Sequence, residues 1–289
     1  MRSTNKPLTP ADTKVVPPSP SGRGGRGVRV KLGLFVMLVF VLAAVFAAVI
    51  APYSPDDIIE SQMQGPSLRH LFGTDDLGRD LFSRALYGAR ISLTVGFVAV
   101  IISILIGTLF GALSGYYGGW RDTVITRFID IMLAFPSIFL ILAIQAMLTP
   151  NIYNVMVVIG VTSWMGVARL VRGEFLRIRE LQYVEAARAI GCSDFRIIFR
   201  HILPNASGPI IVAATLGMAG AVLTESALSF LGMGVQPPMP SWGNMLMDSQ
   251  AYLFDAPWMS VIPGLLIFMT VLALYFIGEG LRERLDVRS

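Results

Sequence analysis

"EAARAIGCSDFRIIFRHILPN", Glu185 to Asn205, is a charged interruption in a chain made mostly of oil. The 289 residues are 54% hydrophobic and 15% charged, with a mean hydropathy of +0.65. Ordinary soluble domains carry about 25% charged residues, so most of this chain belongs in a bilayer. A hydrocarbon core takes about 20 apolar residues per helix, and the length allows several crossings. Good helix formers run from Glu180 to Ile190, with Leu181, Val184, Ala187 and Ile190 on one face. Gly191 then suits the left-handed position at a helix C-terminus. Ser193 and Asp194 can cap a second helix, whose apolar stripe is Phe195, Ile198, Phe199 and Ile202. Pro204 should end it, because a proline pushes the preceding residue out of helical geometry. The spacing predicts two short amphipathic helices hinged at Gly191, an elbow within residues 172–205.

Working outward, the chain reads as an all-α polytopic membrane protein with six transmembrane helices. Residues 1–31, rich in Pro, Ser, Gly and Arg, read as a disordered basic tail. The first span is 32–51; its run of about twenty residues and long leading tail favour an uncleaved anchor over a signal peptide. A polar segment covers 52–90, and the later spans fall near 91–116, 124–148, 152–171, 208–231 and 260–280. "TPN" at Thr149–Asn151 marks a turn inside a stretch too long for one helix. Residues 91–281 form the main membrane unit, and 282–289 a short tail.

Charge sets the orientation. On this topology the tail, the neighbourhood of Arg121 and Arg127, the elbow and the C-terminus share 19 Lys and Arg, against four on the other side. The positive-inside rule places the elbow and both termini in the cytoplasm. The same rule explains the net charge of +4 better than nucleic-acid binding does, as no basic-aromatic run is present. The chain has no GxxxxGK[ST] loop for ATP and one cysteine, Cys192; His70 and His201 lie far apart without metal-ligand neighbours. "GTDDLGRD" (Gly73–Asp80) lacks the order of a calcium loop and reads as a polar cap on the second span. No metal site and no catalytic constellation is expected.

Small residues predict how the spans pack. Ser103, Gly107, Gly111 and Gly115 recur every four residues on the second span, and Ala213, Gly217 and Ala221 do so on the fifth. Lipid gives helices little hydrophobic reason to associate, so close backbone approach is the expected glue. An elbow on the cytoplasmic side has two physical uses: to lie on headgroups, or to enter a groove on another protein. Composition leaves these even.

The elbow resembles the EAA signature of ABC importer permeases: Glu-Ala-Ala, three residues, Gly, nine residues, Ile, any residue, Leu-Pro. Glu185, Ala186, Ala187, Gly191, Leu203 and Pro204 match, while His201 stands at the isoleucine position. "FGTDDLGRDLFSRALYGARISL" (Phe72–Leu93), "SGYYGGWRDTVITRFIDIMLAFP" (Ser114–Pro136) and "LSFLGMGVQPPMPSWGNML" (Leu228–Leu246) resemble the second permease subunit of dipeptide, oligopeptide and nickel importers. The resemblance implies a type I ABC importer transmembrane domain, with the elbow as coupling helix. It implies a non-catalytic subunit, multi-pass in the bacterial cytoplasmic membrane, moving peptides by alternating access. No cofactor is bound by this chain; ATP and Mg belong to two ABC ATPase subunits. The further partners implied are a sister permease, in a heterodimer, an extracytoplasmic substrate-binding protein and membrane lipid.

On that resemblance Glu185 and Arg188 fix the register of docking, and Gly191 permits a sharp angle that a side chain would obstruct. Glu225, inside the fifth span, either lines the pathway or braces the bundle through a hydrogen bond. Asp130 pairs with Arg127 at i,i+3 as a structural bond. Pro237, Pro238, Pro240, Trp242, Tyr252 and Trp258 fill the loop before the last span, resting at the membrane interface, facing the binding protein, or both. A channel or secondary transporter would show paired intramembrane charges or a duplicated half, and the sequence shows neither.

Overall fold

Apolar runs of about twenty residues can satisfy their backbone inside a membrane only as helices or closed barrels, and this chain uses helices. The structure, a computed structural model, describes residues 21–59 and 61–286; the expected tail over 1–20 lies outside them. The helices are α1 (Ser21–Val45), a short α2 (Ala47–Ile50), α3 (Leu81–Tyr117), α4 (Gly119–Ala134), α5 (Ser137–Met147), α6 (Ile152–Arg179), α7 (Gln182–Ala189), α8 (Asp194–Arg196), α9 (Leu203–Phe230), α10 (Trp242–Asp248) and α11 (Trp258–Asp286). A π-helical turn, Ile197–Ile202, joins α8 to α9. Among the described residues there is no strand, and two isolated bridges pair Ile58 with Arg79 and Thr74 with Asp80. Five helical runs are long and apolar enough to cross a membrane, and α4 with α5 makes a sixth if the bent pair is one span.

Several boundaries differ from expectation, two of them for a clear local reason. The third span is not one helix over 124–148: α4 and α5 meet at 85°. Pro136 forces Phe135 into extended geometry (ψ 131°), which the residue before a proline favours. The second span starts at Leu81 rather than Ile91, because Asp80 caps it: its Oδ2 accepts from the backbone N–H and the hydroxyl of Ser83, both at 2.8 Å. At 37 residues α3 is ~55 Å long, well beyond a hydrocarbon core of ~30 Å. The first helix begins at Ser21, inside the stretch expected as tail.

The core of the bundle is α3 laid along α6, with α9 against both and α11 and α1 outside them. Gly107, Gly111 and Gly115 make the first contact possible. A Cβ on Gly107 would stand 2.6 Å from Val167 Cβ, on Gly111 2.6 Å from the Ala168 carbonyl, and on Gly115 2.7 Å from Phe175 Cβ. The fit is reciprocal, since a Cβ on Gly160 of α6 would meet Ile102 of α3 at 2.6 Å. The small residues of α9 pack less tightly; the nearest atom to Gly217 is 3.4 Å away.

At the end of the bundle far from the elbow, "GTDDLGRD" folds into a polar knot. Asp75 accepts from the backbone N–H groups of Leu77 and Arg79, each at 2.9 Å, and from Arg79 Nε at 2.6 Å. Arg84 of α3 reaches Asp75 at 3.5 Å and Asp248 of α10 at 3.4 Å, so the 52–80 segment, α3 and α10 are held as one piece. His70 Nδ1 and Asp80 Oδ1 pair at 2.9 Å in the interior of this knot. Burial pushes the carboxyls of Asp248 and Asp76 up; the charge of Asp75 adds to the rise at Asp76, while Arg84 and Arg79 oppose it at Asp248.

The seam makes a direct prediction. Gly111→Val puts a branched side chain against a backbone carbonyl and should cost at least about 2 kcal/mol, read as a lower melting temperature in detergent. Gly166→Ala, where no atom lies within 4 Å, should be neutral or gain up to ~1 kcal/mol. Equal losses would mean that the seam does not limit packing. The knot predicts a pH dependence. Acids raised on folding bind protons better in the folded than in the unfolded state, so their contribution is greatest at low pH and is lost as pH rises above the ordinary carboxylate range. Asp248→Asn removes that titration, so the melting temperature of the variant minus that of wild type should climb as pH rises through and above the ordinary carboxylate range of about 4. A flat or falling difference refutes the assignment.

Candidate functional site

The elbow is built by a helix stop that the sequence encodes closely. The N–H of Gly191 donates to the Arg188 carbonyl (3.0 Å) and that of Cys192 to the Ala187 carbonyl (3.1 Å), the paired bonds of a Schellman motif. Gly191 holds the left-handed backbone this needs, with φ at +82°. No atom lies within 4 Å of a Cβ built there, so the backbone, and not crowding at the hinge, is what calls for glycine.

Two faces result. Val184 and Ala187 from α7, with Ile197, Ile202 and Ala206 beyond the hinge, are buried against Val171, Phe175 and Ile178 of α6 and Tyr116 of α3. Glu185, Ala186, Arg188 and Gly191 lie on the exposed side, as does Ile190 at 81% exposure. Phe195 (71% exposed) and Phe199 (54%) pack against each other on the outside with their rings tilted by 37°, ring centres 4.4 Å apart.

This corrects the expected stripes. Leu181 and Ile190 leave the inner face of α7, where they are the N- and C-cap residues. The second limb keeps Ile198 and Ile202 inward as expected, but buries Ile197 and turns Phe195 and Phe199 outward. In the second limb the physical reason is the π turn, which bonds i to i+5 and so rotates the residues relative to a 3.6-residue repeat. The same turn corrects the reading of Pro204 as a terminator. Pro204 is the second residue of α9, in one helical run from Asp194 to Phe230. Widening the turn before it accommodates the missing N–H and the ring. Leu203 packs against the buried cluster. Ser193 occupies the cap position without a side-chain bond, and Asp194 is engaged elsewhere.

Asp194 Oδ1 accepts from the Tyr116 hydroxyl at 2.6 Å, and the Arg188 guanidinium lies 5.9 Å from the centre of the Tyr116 ring. Arg179 Nη1 donates to the carbonyls of Gly115 (3.0 Å) and Tyr116 (3.4 Å) at the end of α3. Arg172 grips Asp122 of α4 through Nε (2.5 Å) and Nη2 (2.7 Å), and Asp122 also accepts from Ser114. Asp130 forms its ion pair with Arg169 of α6, not with Arg127, because α4 packs along α6 and brings the longer-range partner within reach.

Glu225 is far from the elbow and fully buried. Its carboxylate accepts from the hydroxyls of Ser229 (2.8 Å), Ser92 (3.1 Å) and Ser226 (3.4 Å). Ser92 Oγ in turn accepts from the Trp242 N–H (3.2 Å), and Trp242 Nε1 donates to the Ala85 carbonyl (3.0 Å). The acid therefore sits in a closed cage that joins α3, α9 and α10. Ser226 and Ser229 were within reach of a sequence reading, at one and four residues from Glu225; Ser92 and Trp242 were not. Trp242 is fully buried, so of the aromatic residues expected at the interface this one belongs to the core. Among the described residues no group of three or more His, Cys, Asp or Glu side chains could hold a metal ion.

Comparison with known proteins fits this arrangement. Residues 107–288 match a family model described as "Binding-protein-dependent transport system inner membrane component". The chain is 48% identical, over 88% of its length and 84% of the relative's, to the dipeptide transport system permease protein DppC of Alkalihalophilus pseudofirmus. It is 43% identical, over 90% of its length and 86% of the relative's, to the glutathione transport system permease protein GsiD of Pectobacterium atrosepticum. In fold it is similar to the MetNI methionine ABC transporter in an inward-facing conformation, with a TM-score of 0.58 at 19% identity over 72% of this chain and 98% of that one. With a bundle of apolar helical spans, an elbow of two faces and relatives this similar over most of their length, the chain belongs to the inner membrane components of binding-protein-dependent transport systems.

Proposed function

We propose that this permease subunit imports short peptides across the bacterial cytoplasmic membrane by alternating access, and that its elbow docks in a cleft of a separate ATPase. The observation that carries the docking is the exposed face: Ile190 at the end of the first limb and Phe195 on the second stand 81% and 71% exposed, while the other side of both limbs is packed against α6 and α3. Large apolar side chains presented on a rigid turn suit a groove in another protein, and Glu185 and Arg188 beside them supply polar register. The peptide cargo is supported by relatives named for dipeptide and glutathione transport; nickel or another small solute is the alternative. Family membership implies a binding protein and separate ATP-hydrolysing subunits, and the heterodimer with a sister permease completes the assembly. The charge bias of the loops supports cytoplasmic termini and a cytoplasmic elbow. Within this reading Glu225, closed in its cage, braces the bundle and does not line the pathway, and Asp130 is likewise structural.

Transport then follows from differential contact. The ATPase pair must grip the elbow in one arrangement of the bundle more tightly than in the other, since a partner shifts an equilibrium only by such a difference. The chain supplies the two-state element; nucleotide supplies the free energy.

Cys192 gives the test. It should resist a membrane-impermeant maleimide in intact cells, react in inverted vesicles, and be shielded when the ATPase is bound. Labelling from outside reverses the topology, and absence of shielding removes the docking. The hinge gives another. Gly191→Asn, which tolerates a left-handed backbone, should keep most transport, whereas Gly191→Val should lose at least about tenfold, because a branched side chain is strained at positive φ. Equal effects would exclude the backbone as the reason for glycine. Uptake of a labelled dipeptide should be competed by other short peptides and not by chelated nickel; the reverse order selects the alternative cargo.

A further inference from the structure

We infer that Tyr116 is the positioning residue through which displacement of the elbow reaches α3. The inference rests on the elbow docking to an ATPase, as proposed above, and goes beyond it by naming the link inside this chain. Tyr116 stands on the last turn of α3 and is 7% exposed. Its side chain meets both limbs of the elbow at once. The hydroxyl donates to Asp194, the first residue of the second limb, at 2.6 Å, and Arg188 of the first limb lies over the ring at 5.9 Å. It thus sits in the crotch of the hinge, opposite the exposed face that a partner would grip.

What Tyr116 is attached to gives the contact its reach. The glycine seam packs α3 backbone-close to α6, and within this inference a push at Tyr116 is carried along one continuous helix of ~55 Å. At the other end α3 is tied through Ser92 and Ala85 to Trp242, and through Arg84 to Asp75 and Asp248. Other contacts join elbow and bundle, but they differ in kind. The packing of Val184, Ala187, Ile197 and Ile202 is non-directional, and Arg179 belongs to α6, upstream of the hinge. The Tyr116–Asp194 bond is directional, partly buried and made to a charged acceptor, the class of hydrogen bond whose loss is felt most. Without it the elbow can still present its outer face, yet its rotation slips past α3.

The experiment uses the whole transporter in proteoliposomes and reads molecules imported per ATP hydrolysed, with shielding of Cys192 by the ATPase as a separate readout of docking. Tyr116→Phe, which removes one oxygen, should lower import per ATP by about tenfold while Cys192 remains shielded. Asp194→Ala should fall equally, the double variant no further than either single one, and Asp194→Asn, which keeps an acceptor, should recover to within about threefold of wild type. Shielding retained with import per ATP unchanged in Tyr116→Phe overturns this inference and leaves docking standing. Failure of the wild-type chain to shield Cys192 overturns docking and this inference together. Should Tyr116→Phe not assemble, the Asp194 pair decides: a loss in Asp194→Ala that Asp194→Asn restores supports the link, and equal behaviour of the two overturns it.

Discussion

The backbone contact between α3 and α6 is the constraint on which the rest depends. In lipid, apolar side chains gain nothing by leaving hydrocarbon for one another, so association has to come from packing and polar bonds. Gly107, Gly111 and Gly115 lower the surface of α3 until Val167, Ala168 and Phe175 of α6 meet its backbone. Because α6 runs on directly into α7, that seam also fixes where the elbow emerges relative to the end of α3. A wider spacing would carry Asp194 out of reach of Tyr116 and Arg179 out of reach of the last carbonyls of α3. Three glycines in the membrane thus set the geometry of a site outside it.

Polar groups complete what close packing begins. Glu225 would be costly in a membrane helix if left alone, and three serine hydroxyls from two helices surround it. The arrangement spends those hydroxyls well, since Ser92 and Ser229 each also accept a backbone N–H, from Trp242 and Val235. The far end is consequently a single unit in which α3, α9, α10 and the knot around Asp75 share bonds. A helix bundle fastened this way can tilt as a body more readily than it can shear.

How much of this was legible in the sequence depends on distance along the chain. The helical spans, the elbow, its glycine hinge and the small-residue face of α3 follow from local pattern, because each is a property of residues within a few turns of one another. The break at Pro136 is also local: the residue before that proline, Phe135, is pushed into extended geometry, whereas at Pro204 a π turn absorbs the same constraint. The phase error in the second limb has the same origin, since a π turn changes the helical repeat without an unambiguous sequence mark. What local pattern could not carry were partners fixed by the tertiary fold. Tyr116 with Asp194 spans 78 residues, Ser92 with Glu225 133, and Arg84 with Asp248 164. Asp130 shows how a local rule misleads: an i,i+3 arginine was available, and packing against α6 supplied Arg169 in its place.

The two faces of the elbow explain why so short a segment carries so specific a pattern. Ala187 and Leu203 are turned toward the bundle, Glu185 and Ala186 toward the outside, and Gly191 makes the turn between the limbs. A surface that had only to bind a partner would constrain the outer residues and leave the inner ones free to be any apolar type. A loop that had only to connect two spans would constrain neither. Here the inner positions must be small or well-packed enough to seat the elbow on α6 and α3, while the outer ones remain available to something else. Both requirements fall on the same two turns of helix. A substitution at an inner position would therefore tilt the elbow as a whole, and one at an outer position would change the face it presents with the elbow still in place.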